Sequence, residues 1–366
     1  MKKLITTIHK FNEINFTFAQ CCYQKKINQS ETCMFKVYLF ILLGFFVNSF
    51  AVDILELDVI PYEKLAAGDL KAHEILNKAL LEKGIVGVKS VPGYKEKYEK
   101  FIEVARAFSL LPEDVKENYK PNRDLGETFL GYESGKEKFK RLDGTWIIDN
   151  LKTSYYAFIP DISKNKWPSE VDLQTPFEDL GQTMAKMGEE LMYKIGLLGK
   201  DTGLYLEGEA CIGRMLYYRK NTQEGNPQWC GAHFDHGLFT VLLPAVYFVN
   251  GIQVKEPIEA GLFVRTSQNE PFKKVIADDL DVMMFQVGEF GQLVKNDVIR
   301  ATEHRVDKPN KAIKRYTFAV FYNAPMDLPI YSKSVLANDE RYGAKIGEAC
   351  TYRHWHEASF KRYIVE

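Results

Sequence analysis

The sequence predicts a mainly β protein with flanking helices, an α+β arrangement. Helical patterns dominate from about residue 71 to 198, and strand patterns then run from about 210 to 322. The sequence also contains no internal repeat, low-complexity tract or Gly/Ser-rich linker. These observations favour one folded unit over a string of small modules.

The composition is that of a protein with a sizeable core and balanced charge. The chain has 366 residues, of which 46% are hydrophobic, and this is enough to enclose an apolar interior. Its 48 Lys and Arg residues face 49 Asp and Glu residues, leaving a net charge of −1. Because binding to a phosphate backbone needs a basic excess, we expect no nucleic-acid partner.

Residues 1–51 are expected to form a leader with a signal-like apolar segment. Lys36 precedes an apolar run over 37–47, and Ser49-Phe50-Ala51 gives the small-x-small ending of a secretory signal cleaved before Val52. The run is short for a membrane span. We therefore expect export, with translation starting at Met34. A signal anchor and a buried segment are the alternatives: the chain would contact a membrane only if the leader is retained, and without export it would be cytoplasmic.

The remaining chain divides into three predicted regions. Residues 52–200 are expected to be a mostly helical amino-terminal region, 201–325 a strand-rich core, and 326–366 a carboxy-terminal tail. In the tail, Arg353-His354-Trp355-His356 could bind metal, but ordinary surface packing is the favoured interpretation.

The cysteines do not predict a disulfide framework. Three of the six precede Met34, and Cys211, Cys230 and Cys350 remain in the rest of the chain. Three thiols cannot all pair within one chain. Cys230 lies near His233 in sequence, and a packing or solvent-facing thiol is favoured over a metal ligand there.

The motif Gly-Ala-His-Phe-Asp-His-Gly carries the strongest chemical signal. In a strand, side chains two apart share a face, so His233 and Asp235 would point inward together while Phe234 and His236 point away. His304, on a later strand, would complete the set. Two imidazoles and one carboxylate leave metal positions open, as a non-haem Fe(II) centre requires, whereas structural zinc prefers four closed ligands.

An arginine on a later apolar strand predicts an anion site. In the segment 314–322, alternation places Arg315, Thr317, Ala319 and Phe321 on one face. A buried guanidinium needs an anionic partner, and a fork beside a hydroxyl suits a carboxylate. An exposed edge-strand arginine is the alternative.

With these motifs in order, the segment from about Val52 to Val320 resembles the 2-oxoglutarate/Fe(II)-dependent dioxygenase superfamily, in its isopenicillin N synthase-like branch. Family members carry His-x-Asp, a distal His and Arg-x-Ser. Here His233, Asp235 and His304 match the first two motifs, and Arg315-x-Thr317 matches the third with threonine in place of serine.

The resemblance implies a double-stranded β-helix, or jelly-roll, core and a set of roles. Fe(II) would be held by the His-Asp-His set, and 2-oxoglutarate would bind through Arg315 and Thr317. Tyr218, in a strand similar to the family's Asn-Tyr-Tyr segment, would contact this co-substrate, although Leu216 replaces the asparagine. With O2, the oxoacid would yield succinate and CO2 while a small molecule is hydroxylated, desaturated or cyclised.

Two alternatives remain open at this point. An oxidase of the same fold would take all its electrons from its substrate and need no oxoacid, and it could keep the Arg-x-Thr motif. A non-catalytic jelly roll would bind a small molecule without consuming O2. The substrate itself is not indicated, because segments such as 245–260 contain no recognisable motif.

Overall fold

The computed structural model describes residues 52–140, 144–219, 228–277 and 279–363. The predicted leader, with its signal-like segment at 34–51, lies outside the described residues, so export stays a prediction. The described residues from Val52 onward belong to one compact unit. Within the described ranges, none of the helices combines the length and apolar character needed to cross a bilayer.

The described residues form more strands than helices. The strands are β1 (Ile54–Leu55), β2 (Val59–Pro61), β3 (Ile85–Lys89), β4 (Gly131–Ser134), β5 (Lys138–Lys140), β6 (Trp146–Ile148), β7 (Lys152–Ile159), β8 (Cys211–Tyr218), β9 (Gln228–His233), β10 (Phe239–Leu242), β11 (Val246–Val249), β12 (Ile252–Val254), β13 (Gly261–Arg265), β14 (Lys273–Val275), β15 (Val282–Val287), β16 (Glu303–Asp307), β17 (Lys314–Tyr322), β18 (Pro329–Tyr331) and β19 (Ala349–Thr351). The helices are α1 (Tyr62–Ala66), α2 (Leu70–Glu82), α3 (Tyr94–Ser109), α4 (Glu113–Glu117), α5 (Gln174–Lys194), α6 (Glu289–Val294) and α7 (Tyr352–Tyr363).

Two facing sheets form the jelly-roll core. The larger sheet has the order β2-β3-β15-β10-β17-β8-β7-β4, with β11 and β12 joined beside β17, and the smaller has the order β1-β14-β13-β16-β9. Side chains from both sheets pack together between them, including Tyr218 and Ala319 from the larger sheet and Trp229 and Val306 from the smaller. This architecture confirms the predicted fold class.

The predicted alternation along 314–322 is confirmed on β17. Tyr316, Phe318, Val320 and Tyr322 belong to the outer cluster that also contains helix residues such as Phe101 and Phe177. Ala319 and Phe321 belong to the inner cluster instead. The helices therefore cover the outer face of the larger sheet, and the opposite face is left for the enclosed site.

The amino-terminal region is less helical than predicted, because it supplies β1 to β7. Strand β7 is wholly buried and pairs with β8 from Lys152 opposite Tyr218 to Ile159 opposite Cys211. Its sequence, Lys-Thr-Ser-Tyr-Tyr-Ala-Phe-Ile, is rich in aromatic residues and contains β-branched ones, as strands commonly are, but it sits between helical segments. One wall of the core thus comes from outside the predicted strand region.

The tail is also not a surface appendage. Helix α7 packs on the molecule with Trp355 fully buried, and the Trp355 indole donates a hydrogen bond of 3.0 Å to the carbonyl oxygen of His236. The prediction of surface packing was therefore wrong for this residue. A distant partner decided its burial, which no local pattern indicates.

Helix α5 packs so closely on the sheet that Gly188 has no room for a side chain. A Cβ there would lie 2.2 Å from the Tyr322 hydroxyl oxygen and 2.7 Å from a Val241 methyl carbon. We expect Gly188→Ala to lower the free energy of unfolding by about 1–3 kcal/mol through overpacking, even though alanine is the better helix former by about 1 kcal/mol.

Urea unfolding measures this change, with Lys186→Ala on the exposed side of the same helix as the control. An alanine variant at 188 that is as stable as the unchanged protein would show that the helix can move away from the sheet.

Candidate metal centre and its cavity

The register between β9 and β16 places two histidines directly opposite each other. His233 is the last residue of β9, and it pairs with His304 on β16. Their ring centroids are 4.3 Å apart. Each Nδ1 lies near a main-chain carbonyl oxygen, at 2.8 Å from Gly231 for His233 and 3.1 Å from Thr302 for His304. These acceptors favour protonated Nδ1 atoms, which leaves both Nε2 lone pairs for a metal.

Asp235 joins this pair from a turn and not from a strand. Its Oδ1 lies 3.8 Å from the Nε2 atoms of both histidines, as predicted for a three-ligand set. The strand argument for this placement was wrong, however, because β9 ends at His233. Phe234 and His236 also line the cavity beside the metal ligands instead of pointing away.

Hydrogen bonds and close packing fix the turn that carries Asp235. Its main-chain oxygen accepts a 2.8 Å hydrogen bond from the Glu289 amide, and its Oδ2 accepts one of 2.6 Å from the Thr240 hydroxyl. Gly288 lies so close to the turn that a Cβ there would be 2.2 Å from the Gly237 carbonyl oxygen. The carboxylate therefore presents Oδ1 to the histidines in a fixed orientation.

The electrostatics keep His304 and Asp235 in the forms that bind a cation. Burial, with the neighbouring His233, lowers the pKa of His304 to about 4, so this imidazole is neutral at neutral pH. Burial alone would raise the pKa of Asp235, but the two imidazoles and the Thr240 hydroxyl lower it overall. A neutral imidazole and an ionised carboxylate are the forms that bind a metal.

The donor set fits Fe(II). Candidate ligand atoms of His233, Asp235 and His304 all lie within 4.8 Å of one another, and no fourth ligand joins them among the described residues. Cys230 lies 3.9 Å from the His233 Nδ1, on the side of the ring away from Asp235, so its thiol does not complete a closed site. Two nitrogens and one oxygen with open positions suit a non-haem Fe(II) centre.

Arg315 is buried with only part of its guanidinium hydrogen-bonded. Only 5% of the residue is exposed, and its Nε donates to the Tyr247 hydroxyl at 3.2 Å. Its Nη1 is buried without a hydrogen-bond partner among the described residues. A buried N–H without an acceptor is costly. The side chain therefore fits the carboxylate that the sequence predicts.

Thr317 and Tyr218 both lie next to Arg315. The Thr317 hydroxyl donates a 2.8 Å hydrogen bond to the Leu243 carbonyl oxygen. The ring of Tyr218, directly opposite Arg315 on β8, lies 4.7 Å from the guanidinium carbon. Neither Arg315 nor Thr317 lines the cavity at the metal ligands. The roles of Thr317 and Tyr218 in binding a co-substrate stay predictions.

The sequence did not indicate the residues that support Arg315. The Tyr247 hydroxyl donates a 2.6 Å hydrogen bond to Glu256, and Glu256 forms a 2.7 Å ion pair with the buried Lys274. Tyr247 and Glu256 belong to the segment 245–260, which carries no recognisable motif, and Lys274 comes from β14. No sequence signal links these three positions, because the contacts join segments that are distant from one another in the sequence.

A second buried charge cluster lies on the inner face of β7 and β8. Arg214 forms an ion pair with Glu137 and donates from Nε to the Ser154 hydroxyl at 2.9 Å. Lys152 binds the other Glu137 oxygen at 2.6 Å and lies 3.5 Å from the Cys230 sulfur. Strand alternation places Arg214 on the same face as Tyr218, so this signal was present in the sequence.

A cavity of about 130 Å³ adjoins the metal ligands. Its wall includes residues from β7, β8, β17, the turn after β9 and helix α7: Phe129, Glu137, Tyr156, Ile212, Arg214, Phe234, His236, Phe321, Asn323, His356, Ser359 and Phe360. The cavity is thus mostly aromatic with a few polar groups, as small-molecule sites commonly are.

Helix α7 closes one side of this cavity. The His356 Nδ1 lies 3.0 Å from the His236 Nε2, and burial, with His356 nearby, lowers the pKa of His236 to about 3. Arg341 binds Glu289 through two nitrogens and donates to Ser359 at 3.1 Å. The same Glu289 donates its amide to Asp235. Glu289 therefore contacts both the turn that carries Asp235 and Arg341, the residue that holds helix α7.

A family model describes the part of the chain that carries these ligands. Residues 210–324 match the model of the 2OG-Fe(II) oxygenase superfamily. The matched residues include His233, Asp235, His304 and Arg315. No curated protein matches the chain.

Solved structures share the fold at low sequence identity. A protein of Caulobacter crescentus assigned to the 2OG-Fe(II) oxygenase family is 18% identical, with 84% of this chain and 98% of that chain covered and a TM-score of 0.64. T7H of Neurospora crassa, in complex with alpha-KG, is 21% identical over 86% and 98%, with a TM-score of 0.63. JOX2, in complex with 2OG, Fe and JA, is 19% identical over 84% and 86%, with a TM-score of 0.60.

The hydrogen bond from the Thr240 hydroxyl to Asp235 is expected to strengthen metal binding. Thr240→Val keeps the shape of the side chain but removes the hydrogen bond to Asp235. We expect the affinity for Fe(II) to fall roughly 10–100-fold, as is usual when a group that orients a metal ligand is lost. Anaerobic titration with Fe(II) measures the change.

Thr183→Val is the matched control, because the Thr183 hydroxyl binds the Asp179 carbonyl oxygen within helix α5, away from the ligands. Equal Fe(II) affinity in the two variants would contradict an orienting role for Thr240.

Proposed function

We propose that this protein, whose residues 210–324 are a 2OG-Fe(II) oxygenase domain, oxidises a small molecule by hydroxylation, desaturation or cyclisation, with 2-oxoglutarate anchored by Arg315. The observation that carries the proposal is the buried Nη1 of Arg315, which has no hydrogen-bond partner in the described part of a chain that also brings the His-Asp-His set together. A metal centre alone would not require that donor, whereas a dicarboxylate co-substrate provides an acceptor for it.

The protein's part in the reaction is to bind and orient. His233, Asp235 and His304 would hold Fe(II), which together with 2-oxoglutarate and O2 supplies the oxidation of a C–H bond. Arg315 would bind the distal carboxylate, and its Nε stays fixed on Tyr247. The aromatic cavity would hold the substrate next to the ligands and exclude bulk water from the oxidised position.

Release of succinate tests this function. The full chain, loaded with Fe(II) without oxygen and then given 2-oxoglutarate and O2, is expected to form succinate. His233→Ala is expected to abolish it, because one of only three ligands is lost. Mass spectrometry measures succinate, and an oxygen electrode measures O2 in the same sample.

The two alternatives give different results in that assay. Uptake of O2 that requires an added small molecule as electron donor and forms no succinate would favour an oxidase that needs no oxoacid, because such an enzyme takes its electrons from its substrate. Absence of both, together with no binding of 2-oxoglutarate to the iron-loaded protein, would favour a binding protein without turnover.

Tyr247 is expected to affect the binding of 2-oxoglutarate and not the rate of the chemical step. Tyr247→Phe leaves the Arg315 Nε without its acceptor, so the guanidinium is held less firmly. We expect the KM for 2-oxoglutarate to rise roughly three- to tenfold with kcat nearly unchanged, the range expected from one hydrogen bond. Steady-state succinate kinetics measure both constants.

Tyr331→Phe is the control, because Tyr331 is exposed on β18. A variant at 247 that changed kcat alone would place Tyr247 in the chemical step and contradict its role in holding Arg315 for the co-substrate.

A further inference from the structure

The cavity beside the metal ligands has a continuous aromatic wall. The rings of Phe129 and Phe360 meet edge to face at 5.3 Å, and Phe129 meets Tyr156 at 5.5 Å. The cavity volume of about 130 Å³ is close to that of an engineered apolar cavity of about 150 Å³ that binds benzene. A single ring therefore fits next to the metal ligands, with its faces and edges against aromatic side chains.

Arg214 adds one directional donor to this wall. Its Nε donates a hydrogen bond to Ser154, and its Nη2 donates to both Glu137 and Ser154. Its Nη1 has no hydrogen-bond acceptor among the described residues, and the side chain, 13% accessible, borders the cavity. The guanidinium carbon lies 4.9 Å from the Tyr156 ring centroid. The donor is thus held beside the aromatic wall.

The surroundings keep Arg214 charged and in place. Burial disfavours the charged form, but the Glu137 carboxylate raises the pKa of Arg214 overall. Glu137 is itself held by Lys152 at 2.6 Å and by the Tyr156 hydroxyl at 3.1 Å. Because these partners occupy the other side of the guanidinium, the free N–H does not need to rearrange before it binds a ligand.

Arg214 and Arg315 occupy different positions along the paired strands β8 and β17, and only Arg214 lines the cavity at the metal ligands. Arg315 stands opposite Tyr218, whereas Arg214 stands opposite Ala319, which is four residues further along β17. At about 3.3 Å per residue, the two positions are roughly 13 Å apart along the strand. If Arg315 binds the co-substrate, the Arg214 donor is available for a different molecule.

We propose that the substrate is a compact ring-bearing molecule whose carbonyl or carboxylate oxygen binds Arg214, while its ring packs against Phe129, Tyr156 and Phe360. This inference rests on the proposed function, because it takes the cavity beside the metal ligands as the substrate site. It adds the substrate class and the residues that select it.

Three small probes of similar size separate the features of this site. Phenylacetate carries a carboxylate, acetophenone a carbonyl, and ethylbenzene neither. Calorimetric titration of the full chain with Fe(II) and 2-oxoglutarate, without O2, gives their affinities independently of turnover. We expect phenylacetate, acetophenone or both to bind roughly tenfold more tightly than ethylbenzene, as a hydrogen bond to a charged group predicts.

Arg214→Lys tests the assigned donor. Lysine keeps the charge that Glu137 needs but lacks the second N–H of the guanidinium fork. We expect the preference for the oxygen-bearing probe to fall about tenfold, with the affinities for ethylbenzene and 2-oxoglutarate unchanged. Arg219→Lys, just past the end of β8 and bonded to Glu113 at the surface, is the matched control and should change nothing.

Phe360→Ala tests the aromatic wall without altering the ion pair. All three probes are expected to bind several-fold more weakly, and this result stands even if the lysine variant does not fold. Equal affinities of the three probes for the unchanged protein would overturn the assignment of Arg214, as would a loss of 2-oxoglutarate affinity in Arg214→Lys. Unchanged probe affinities in Phe360→Ala would overturn the assignment of the ring site.

Different results would contradict the oxygenase function and the substrate class. Succinate formation without any preference among the probes would leave the proposed function in place and remove the substrate class. Selective binding of an oxygen-bearing probe without succinate formation would retain the binding site and remove the oxygenase reaction.

Discussion

The antiparallel pairing of β9 with β16 is the constraint on which the metal centre depends. It sets His233 against His304 through main-chain hydrogen bonds, so the distance between the imidazoles follows from the sheet. The carboxylate is positioned differently, because Asp235 lies beyond the strand end. A turn needs added fixation, and the contacts of Thr240 and Glu289 with Asp235 provide it. The centre thus combines two ligands fixed by the sheet with one fixed by local contacts.

The interior of the jelly roll carries two arginines that are only partly neutralised. Removing a guanidinium from water is costly, and each arginine recovers part of that cost from neighbours: Tyr247 for Arg315, and Glu137 with Ser154 for Arg214. Each retains at least one nitrogen without a hydrogen-bond partner among the described residues. Because the paired nitrogens are fixed, the remaining ones are directional, and this suits them to recognise oxygen atoms of bound molecules.

Local patterns in the sequence predicted the features that depend on neighbouring residues. The face of β17 that carries Arg315 follows from strand alternation, and the three metal ligands follow from residue types in a known order. Contacts between distant segments were not predictable in this way. Glu256 meets Lys274, and Glu137 meets Arg214, between segments that only the complete fold brings together. For the same reason, the burial of Trp355 was missed.

The contacts of Glu289 limit which carboxy-terminal helices this fold can accept. It joins the turn of the metal carboxylate to Arg341, and Arg341 in turn holds helix α7 at Ser359. Other residues of α7 that line the cavity, such as Phe360, take no part in this anchor. A carboxy-terminal helix grafted from another protein could therefore bring new lining residues, but only if the graft retained a basic partner for Glu289. Without that basic partner, the Glu289 carboxylate would be buried and unpaired. Because the Glu289 amide binds the main-chain oxygen of Asp235, the position of this metal ligand would be disturbed as well.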